Sequence, residues 1–222
     1  GTLDLKKKDL RLLISVNKKG KNMKLYYFPY APNPTKVRTY IAEKGIEIEQ
    51  VLVNIRADEQ KSESHLLRNP TGTLPVLEMD DGAYLTESLT IIEYLEELYP
   101  NPNMIGSNPL ERANVREVER QVEHEILLRV IRIIHATNSP LGFPANPAVA
   151  ETELNHLPDA LKRINKLIGE QNFVMGSKVT IVDCTLFSAL FFAELCELDI
   201  SKEYPNLQRW YEDFKQRPSA QP

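Results

Sequence analysis

Between residues 24 and 99 the apolar positions change period several times. "KLYYF" (24–28) is a run of strand-forming residues. Val37, Tyr40, Ile41 and Lys44 then share one helical face. Asn33-Pro34 offers that helix a cap residue followed by proline at the first helical position, and Gly45 offers its stop. "IEQVLVN" (48–54) reads as a second strand, and the polar stretch Ile55 to Ser64 leads to a short helix near His65 to Arg68. Val76, Leu77 and Met79 are strand-like, Asp81-Gly82 is a hairpin turn signal, and Ala83 to Leu85 forms the returning strand. A helix from Ser88 to about Tyr99 follows, with Leu89, Ile92, Leu95 and Leu98 on its apolar face.

The order is βαβ, then helix, then ββα. A crossover through a helix joins parallel strands, whereas a hairpin adds an antiparallel one. This predicts a mixed four-stranded sheet with helices on both faces, an α/β thioredoxin-like arrangement. After Tyr99 the pattern becomes helical. Pro100, Pro102 and Pro109 mark residues 101–108 as a linker, and 109–222 reads as an all-α helical bundle. Asn108-Pro109 supplies another cap and start, with Glu111 at the capping-box position. Val115, Val118, Val122, Ile126, Val130 and Ile133 continue one stripe as far as His135. A second stripe runs from Leu154 to Ile168, with Pro158 expected to kink or restart it. Thr180-x-x-Asp183 opens "CTLFSALFFAEL", apolar on every face and therefore the expected central helix. A last helix near Pro205 carries Leu207, Trp210, Tyr211 and Phe214.

Composition narrows the function classes. The chain has 222 residues, 42% hydrophobic and 26% charged, which suits one large or two small globular domains. A net charge of −4 gives no general reason to expect nucleic acid. Cys184 and Cys196 are too few for a disulfide framework or a zinc site, and no apolar run approaches the roughly 20 residues of a membrane span. A reduced, cytoplasmic setting is the default expectation. Residues 1–22 differ in being lysine-rich, and "LRLLISV" is short for a signal sequence and has no cleavage site after it. They are expected to be an extension outside the fold, with 23–100 as the first domain. The other reading is a basic arm for a membrane or an acidic partner.

The chemistry concentrates in "NPTGTLPVLEMDDGAYLTES" (69–88). Proline has no N–H for a sheet ladder, so Pro75 belongs at a strand start. The residues alone leave its peptide bond cis or trans. A cis bond would turn the Leu74 backbone outward, free to pair with another chain. Ser88 is a good N-cap and Glu87 an ordinary solvated acid, unless a ligand uses them. His65 is read as packing. His124 and His135 lie eleven apart with no ligating partner, the two cysteines as buried inert thiols, and Arg112, Arg116 and Arg120 as a solvated, salt-bridged face that could instead line a subunit interface or a substrate pocket.

Five motifs in order carry a specific resemblance: "KLYYFPYAPNPTKVRTYIAEKGI", "NPTGTLPVL", "LTESLTIIEYLEELYP", "SKVTIVDCTLFSAL" and "NLQRWYEDFKQRPS". On them, residues 23–222 resemble the cytosolic glutathione transferase superfamily, most closely its bacterial members. The resemblance implies a cis bond at Pro75. It also implies that the Leu74 backbone, flanked by Thr73 and Pro75, pairs with the cysteinyl part of glutathione, and that Glu87 and Ser88 hold the γ-glutamyl end. Many members carry Ser, Thr or Cys where this chain has Ala31, which departs from the usual thiol activation. Asn33 resembles an asparagine that faces the thiol in some bacterial classes, although an N-cap role explains it equally well. Tyr27 resembles by position the catalytic tyrosine of another branch, although tandem tyrosines also occur in members that do not use them. The implied function is a detoxifying transferase that activates the glutathione thiol. The thiol would be conjugated to a small hydrophobic electrophile or would reduce a peroxide or disulfide, in a cytoplasmic homodimer. No metal, nucleic acid or membrane is expected. The alternative is a non-catalytic ligand-binding or scaffold protein of the same fold. The outer pocket is expected around Val115 to Arg120 and the loop near Phe143.

Overall fold

The computed structural model describes residues 19–221. Most of the basic extension therefore lies outside the described residues, but its end does not. Strand β1 spans Lys19–Tyr27 and begins ahead of Met23. Its ladder with β2 (Glu47–Leu52) reaches Lys19 opposite Glu47, across an irregularity before Lys24. Backbone pairing extends the strand there, with Lys24 in register with Glu49.

The sheet order is β2-β1-β3-β4, with β3 at Val76–Glu78 and β4 at Tyr84–Leu85. β1 and β2 are parallel, and the other pairs are antiparallel. Helix α1 (Pro32–Lys44) makes the crossover and ends on Gly45 in the left-handed conformation. Short helix α2 (Glu63–Arg68) precedes β3, and α3 (Ser88–Leu98) follows β4. The strand pleat sends Leu25 and Leu77 into one core with Val37, Tyr40, Ile91 and Leu95 of α1 and α3. Tyr26, Val53 and Val76 form a smaller cluster elsewhere, and the Arg68 guanidinium of α2 lies 4.2 Å from the Tyr26 ring centre. This is the mixed, thioredoxin-like sheet the sequence predicts.

Beyond residue 108 the chain is helical. α4 (Pro109–Val122) runs through one π-helical turn, Glu123–Leu127, into α5 (Leu128–Thr137). α6 (Pro147–Ile168), α7 (Ile181–Leu195) and α8 (Pro205–Lys215) complete the bundle. α7 is the central helix, with every residue from Ile181 to Leu190 buried. Its capping box forms as expected, with Asp183 accepting from the Thr180 N–H. Asp183 also accepts from the Trp210 indole, tying α8 to the start of α7. Pro158 does not restart α6, which is one helix through that position. Ala150, Leu157, Leu161 and Ile164 are buried along it on both sides of the proline.

Two buried ionic clusters anchor the α/β part, one to the helices and one to the linker. Lys36 of α1 is fully buried and pairs with Glu119 (2.7 Å) and Glu123 (3.1 Å). Thr185 of α7 donates to the same Glu119 carboxylate. Burial would raise the Glu119 carboxyl, but Lys36 and Arg120 outweigh it and hold it below the usual range. In the second cluster Glu96 of α3 accepts from the Tyr40 hydroxyl, pairs with Lys44 at 2.7 Å and accepts the Met104 N–H of the linker.

Candidate functional site

The topology brings several loops to one end of the sheet. The chain leaves β1 and β2 at that end, because the two are parallel. β3 starts there, being antiparallel to β1, and β4 finishes there. Residues 28–34, 53–57, 73–75 and 86–88 are therefore neighbours by construction. Asn33, Thr73, Leu74, Pro75, Glu87 and Ser88, all singled out by sequence, fall in this set.

The Leu74-Pro75 bond is cis, and Pro75 is buried ahead of β3. Among the described residues neither the Leu74 N–H nor its C=O makes a hydrogen bond. The loop leading to it is tightly held. The Thr73 carbonyl accepts from His65 Nε2 (3.0 Å) and from Asn69 Nδ2 (3.1 Å). Asn69 also donates to the Thr73 hydroxyl, and its own Oδ1 accepts from the Thr71 N–H and hydroxyl. Gly72, at φ +66°, permits the turn. His65 is fully buried, as its packing role required, but it is also a donor, and its Nδ1 is buried without a partner. An ordinary core histidine and one that fixes a loop look alike in sequence. The one local hint was a polar ring four residues before Asn69.

Glu87, not Ser88, occupies the N-cap of α3, with φ 68° and ψ 118°. That backbone is uncommon for a residue with a Cβ. The shift makes Ser88 the first helical residue. The first intrahelical bond runs from the Ile91 N–H to the Glu87 C=O (3.0 Å). The amides of Ser88, Leu89 and Thr90 precede it and point out of the helix end, beside the Ser88 hydroxyl and the exposed Glu87 carboxylate. A helix N-terminus of this kind carries partial positive charge.

The start of α1 also differs from the expected one. The helix begins at Pro32, with Ala31 as an N-cap that supplies no side-chain bond, so Asn33 is not the cap. The cause is the proline pair. A residue before proline is driven to extended backbone, which suits an N-cap, and a missing N–H costs little in the first turn. The Ala31 N–H bonds to the Phe28 C=O (3.3 Å), and the Thr35 N–H to the Ala31 C=O (3.1 Å). Pro32 and Pro34 have no N–H. Of residues 31–34 only Asn33 keeps a free backbone donor. Its side chain is half-buried, and its Oδ1 is enclosed without a partner. Asn33 lies three residues from Lys36 on α1, so it faces the seam with α4.

Tyr27 lies on the opposite sheet face from Tyr26, whose cluster includes Leu74. The guanidinium of Arg38 stands 4.3 Å from the Tyr27 ring centre. Tyr26 donates to Glu78 (2.6 Å), and burial together with that bond pushes its hydroxyl up to about 12. Arg56, which sequence reasoning passed over, lies at the same sheet end against the rings of Phe28 and Tyr30. His135 sits 5.0 Å from Phe143 and bonds Ser139, and burial holds its ring below the usual histidine range. Burial also raises the thiol of Cys184 well above its ordinary range. Among the described residues no cluster of His, Cys, Asp and Glu could hold a metal, and no helix is long and apolar enough to cross a membrane.

Comparisons with known proteins agree with this geometry. The family models for the glutathione S-transferase N-terminal and C-terminal domains match residues 25–103 and 147–213. Glutathione S-transferase 2 of Saccharomyces cerevisiae is 29% identical over 209 residues, covering 91% of this chain and 90% of the relative. A maleylacetoacetate isomerase of Pseudomonas aeruginosa is 31% identical over 175 residues, covering 78% and 82%. The crystal structure of Gtt2 from Saccharomyces cerevisiae superposes with a TM-score of 0.81 at 29% identity, covering 88% of this chain and 97% of that one. A glutathione S-transferase of Methylobacillus flagellatus, solved with glutathione bound, gives 0.77 at 28% identity, covering 89% and 96%.

Proposed function

The chain belongs to the glutathione S-transferase family, and from that membership we propose that it binds glutathione at this end of the sheet and activates its thiol. The observation that carries the reading is the pairing of an unsatisfied Leu74 backbone with the open amide end of α3. Leu74 receives the cysteinyl N–H and C=O. The amides of Ser88 to Thr90 and the Ser88 hydroxyl receive the γ-glutamyl carboxylate, and Glu87 accepts from the ammonium. Thr73 and Pro75 fix the strand entry. This places the thiol toward the loop before α1.

A cysteine-type thiol has a pKa of about 8.5, and lowering it two units takes about 2.7 kcal/mol of preferential anion stabilisation. Ala31 has no side-chain donor, so Asn33 must supply it, with its backbone N–H and its side-chain amide. Tyr27 is second to Asn33, since its ring packs against Arg38. The thiolate then attacks an electrophilic carbon, forming the S–C bond as the leaving group departs with its electron pair. Alternatively it attacks a peroxide, breaking the O–O bond and releasing water or an alcohol as a glutathione sulfenic acid forms. With a disulfide it breaks the S–S bond and releases one thiolate as a mixed disulfide forms. A second glutathione then resolves either one to oxidised glutathione. The chain works as a homodimer in the cytoplasm, in detoxification.

Ala31 also favours a second reading, a glutathione-fold binding protein without turnover. An activity panel with glutathione, model electrophiles and peroxides separates the two. Turnover of any of them supports the enzyme. Saturable glutathione binding in calorimetry with no turnover supports the binding protein, and absence of both defeats the site assignment. A light-scattering mass near the 25.4 kDa of one chain at micromolar concentration would contradict the dimer.

A further inference from the structure

Beside Tyr27 and under α1, the strand β2, helix α7 and the C-terminal turn line a cavity of about 80 Å³. We propose that it is a binding site for a small oxyanion of the phosphate or sulfate class, with Arg38 as its principal ligand. Arg38 is half-buried and makes no ion pair among the described residues. Its Nε donates to Gln50 Oε1 (2.7 Å), one face of the guanidinium rests on the Tyr27 ring, and its Nη1 is buried with no partner. A guanidinium has five N–H donors, and a buried one without an acceptor is costly.

No nearby carboxylate supplies the missing acceptor. Glu43, on the same helix, is held by Arg217 (2.7 and 3.0 Å) and by the Ser219 hydroxyl. The remaining lining mixes apolar Ala42, Phe187 and Ala220 with Thr39, Gln50 and Gln221, whose amide already donates to the Lys215 carbonyl. Arg38 and the Thr39 hydroxyl are therefore the free buried donors at the cavity among the described residues. The Thr39 residue is buried, and its hydroxyl makes no hydrogen bond among the described residues. Burial lowers the guanidinium's affinity for its proton, and an anion would offset that effect. The planar fork of arginine matches two oxygens of an oxyanion. The cavity is far smaller than the ~300–1,000 Å³ of drug-sized ligand pockets, which limits the occupant to a small ion or a single anionic group.

The cavity shares no lining residue with Leu74, Glu87, Ser88 or Asn33, although its Arg38 rests on Tyr27, the second candidate for thiol activation. Its test is thermal unfolding of the native chain in sodium phosphate, sulfate, acetate and chloride at matched ionic strength, with Arg38→Met and Arg38→Lys alongside. Phosphate or sulfate should raise the native Tm by roughly 2–4 °C over chloride. Arg38→Met should lose that increment, and Arg38→Lys should keep less than half. A larger rise with acetate would reassign the site to carboxylates and overturn the oxyanion class. Titration calorimetry of phosphate into the native chain gives the direct readout, one saturable site per chain. An equal rise in Arg38→Met, which would mark general salt exclusion, or no saturable phosphate heat in the native chain, would overturn the proposal.

Discussion

Two helix starts face the same end of the sheet and are built in opposite ways. At α3 three successive amides, Ser88 to Thr90, stand open beside a hydroxyl. At α1 two prolines remove donors from the first turn and leave the Asn33 N–H alone. An open amide end suits a permanent carboxylate, which is charged whether or not chemistry occurs. A donor-poor end suits a sulfur held as a reactive thiolate, because surplus donors would lower its pKa further and dull its nucleophilicity. On the proposed reading the difference separates holding from activating.

The most direct test of that separation is Asn33→Ala. On this reading turnover falls ten- to a hundredfold, about 1.4–2.7 kcal/mol of transition-state stabilisation, while glutathione affinity stays near the parent. The absorbance of the bound thiolate should titrate at higher pH. If Tyr27→Phe shows these changes and Asn33→Ala does not, activation moves to the sheet face under Arg38. Next come Glu87→Ala and Ser88→Ala, which should each weaken glutathione binding roughly tenfold or more, about 1.5–3 kcal/mol, in calorimetry. Unchanged affinity in both would remove α3 from the site. His65→Phe keeps the packing and deletes one donor to the Thr73 carbonyl. A loss of about 0.5–1.5 kcal/mol in glutathione affinity is expected, larger than any change in kcat. The smallest effect belongs to Pro34→Ala, which restores an amide to α1. The bound thiol should titrate lower by roughly 0.2–0.7 pH units, the worth of one helix-end interaction.

Legibility in the sequence tracked how local each signal was. The strands, the helices and the buried course of α7 follow from periodicity and caps within a few residues, and the structure has them nearly as read. The start of α1 was misplaced by two residues because Asn33-Pro34 and Ala31-Pro32 are both sound starts. The choice falls to the earlier one because α1 gains a further half-turn and a second proline can sit inside it. The cap of α3 moved to Glu87 because backbone φ is set there by the β4 exit and not by residue preference. The role of His65 depends on a carbonyl eight residues away, and the π turn at Glu123 sits where that residue meets Lys36 of a distant helix. Neither has a pattern in its own window. The extension of β1 to Lys19 likewise comes from its partner strand and not from its own composition.

The left-handed backbone at Glu87 makes the position a conflict between durability and use. A side chain there costs on the order of 1–2 kcal/mol relative to glycine, which adopts positive φ freely. Glu87→Gly should therefore raise the thermal midpoint of the unliganded chain above that of Glu87→Ala, while both lose the carboxylate proposed to meet the ammonium. Selection for heat resistance alone would drive residue 87 toward glycine. On the proposed reading, selection for substrate capture would hold it as an acid at that cost in stability.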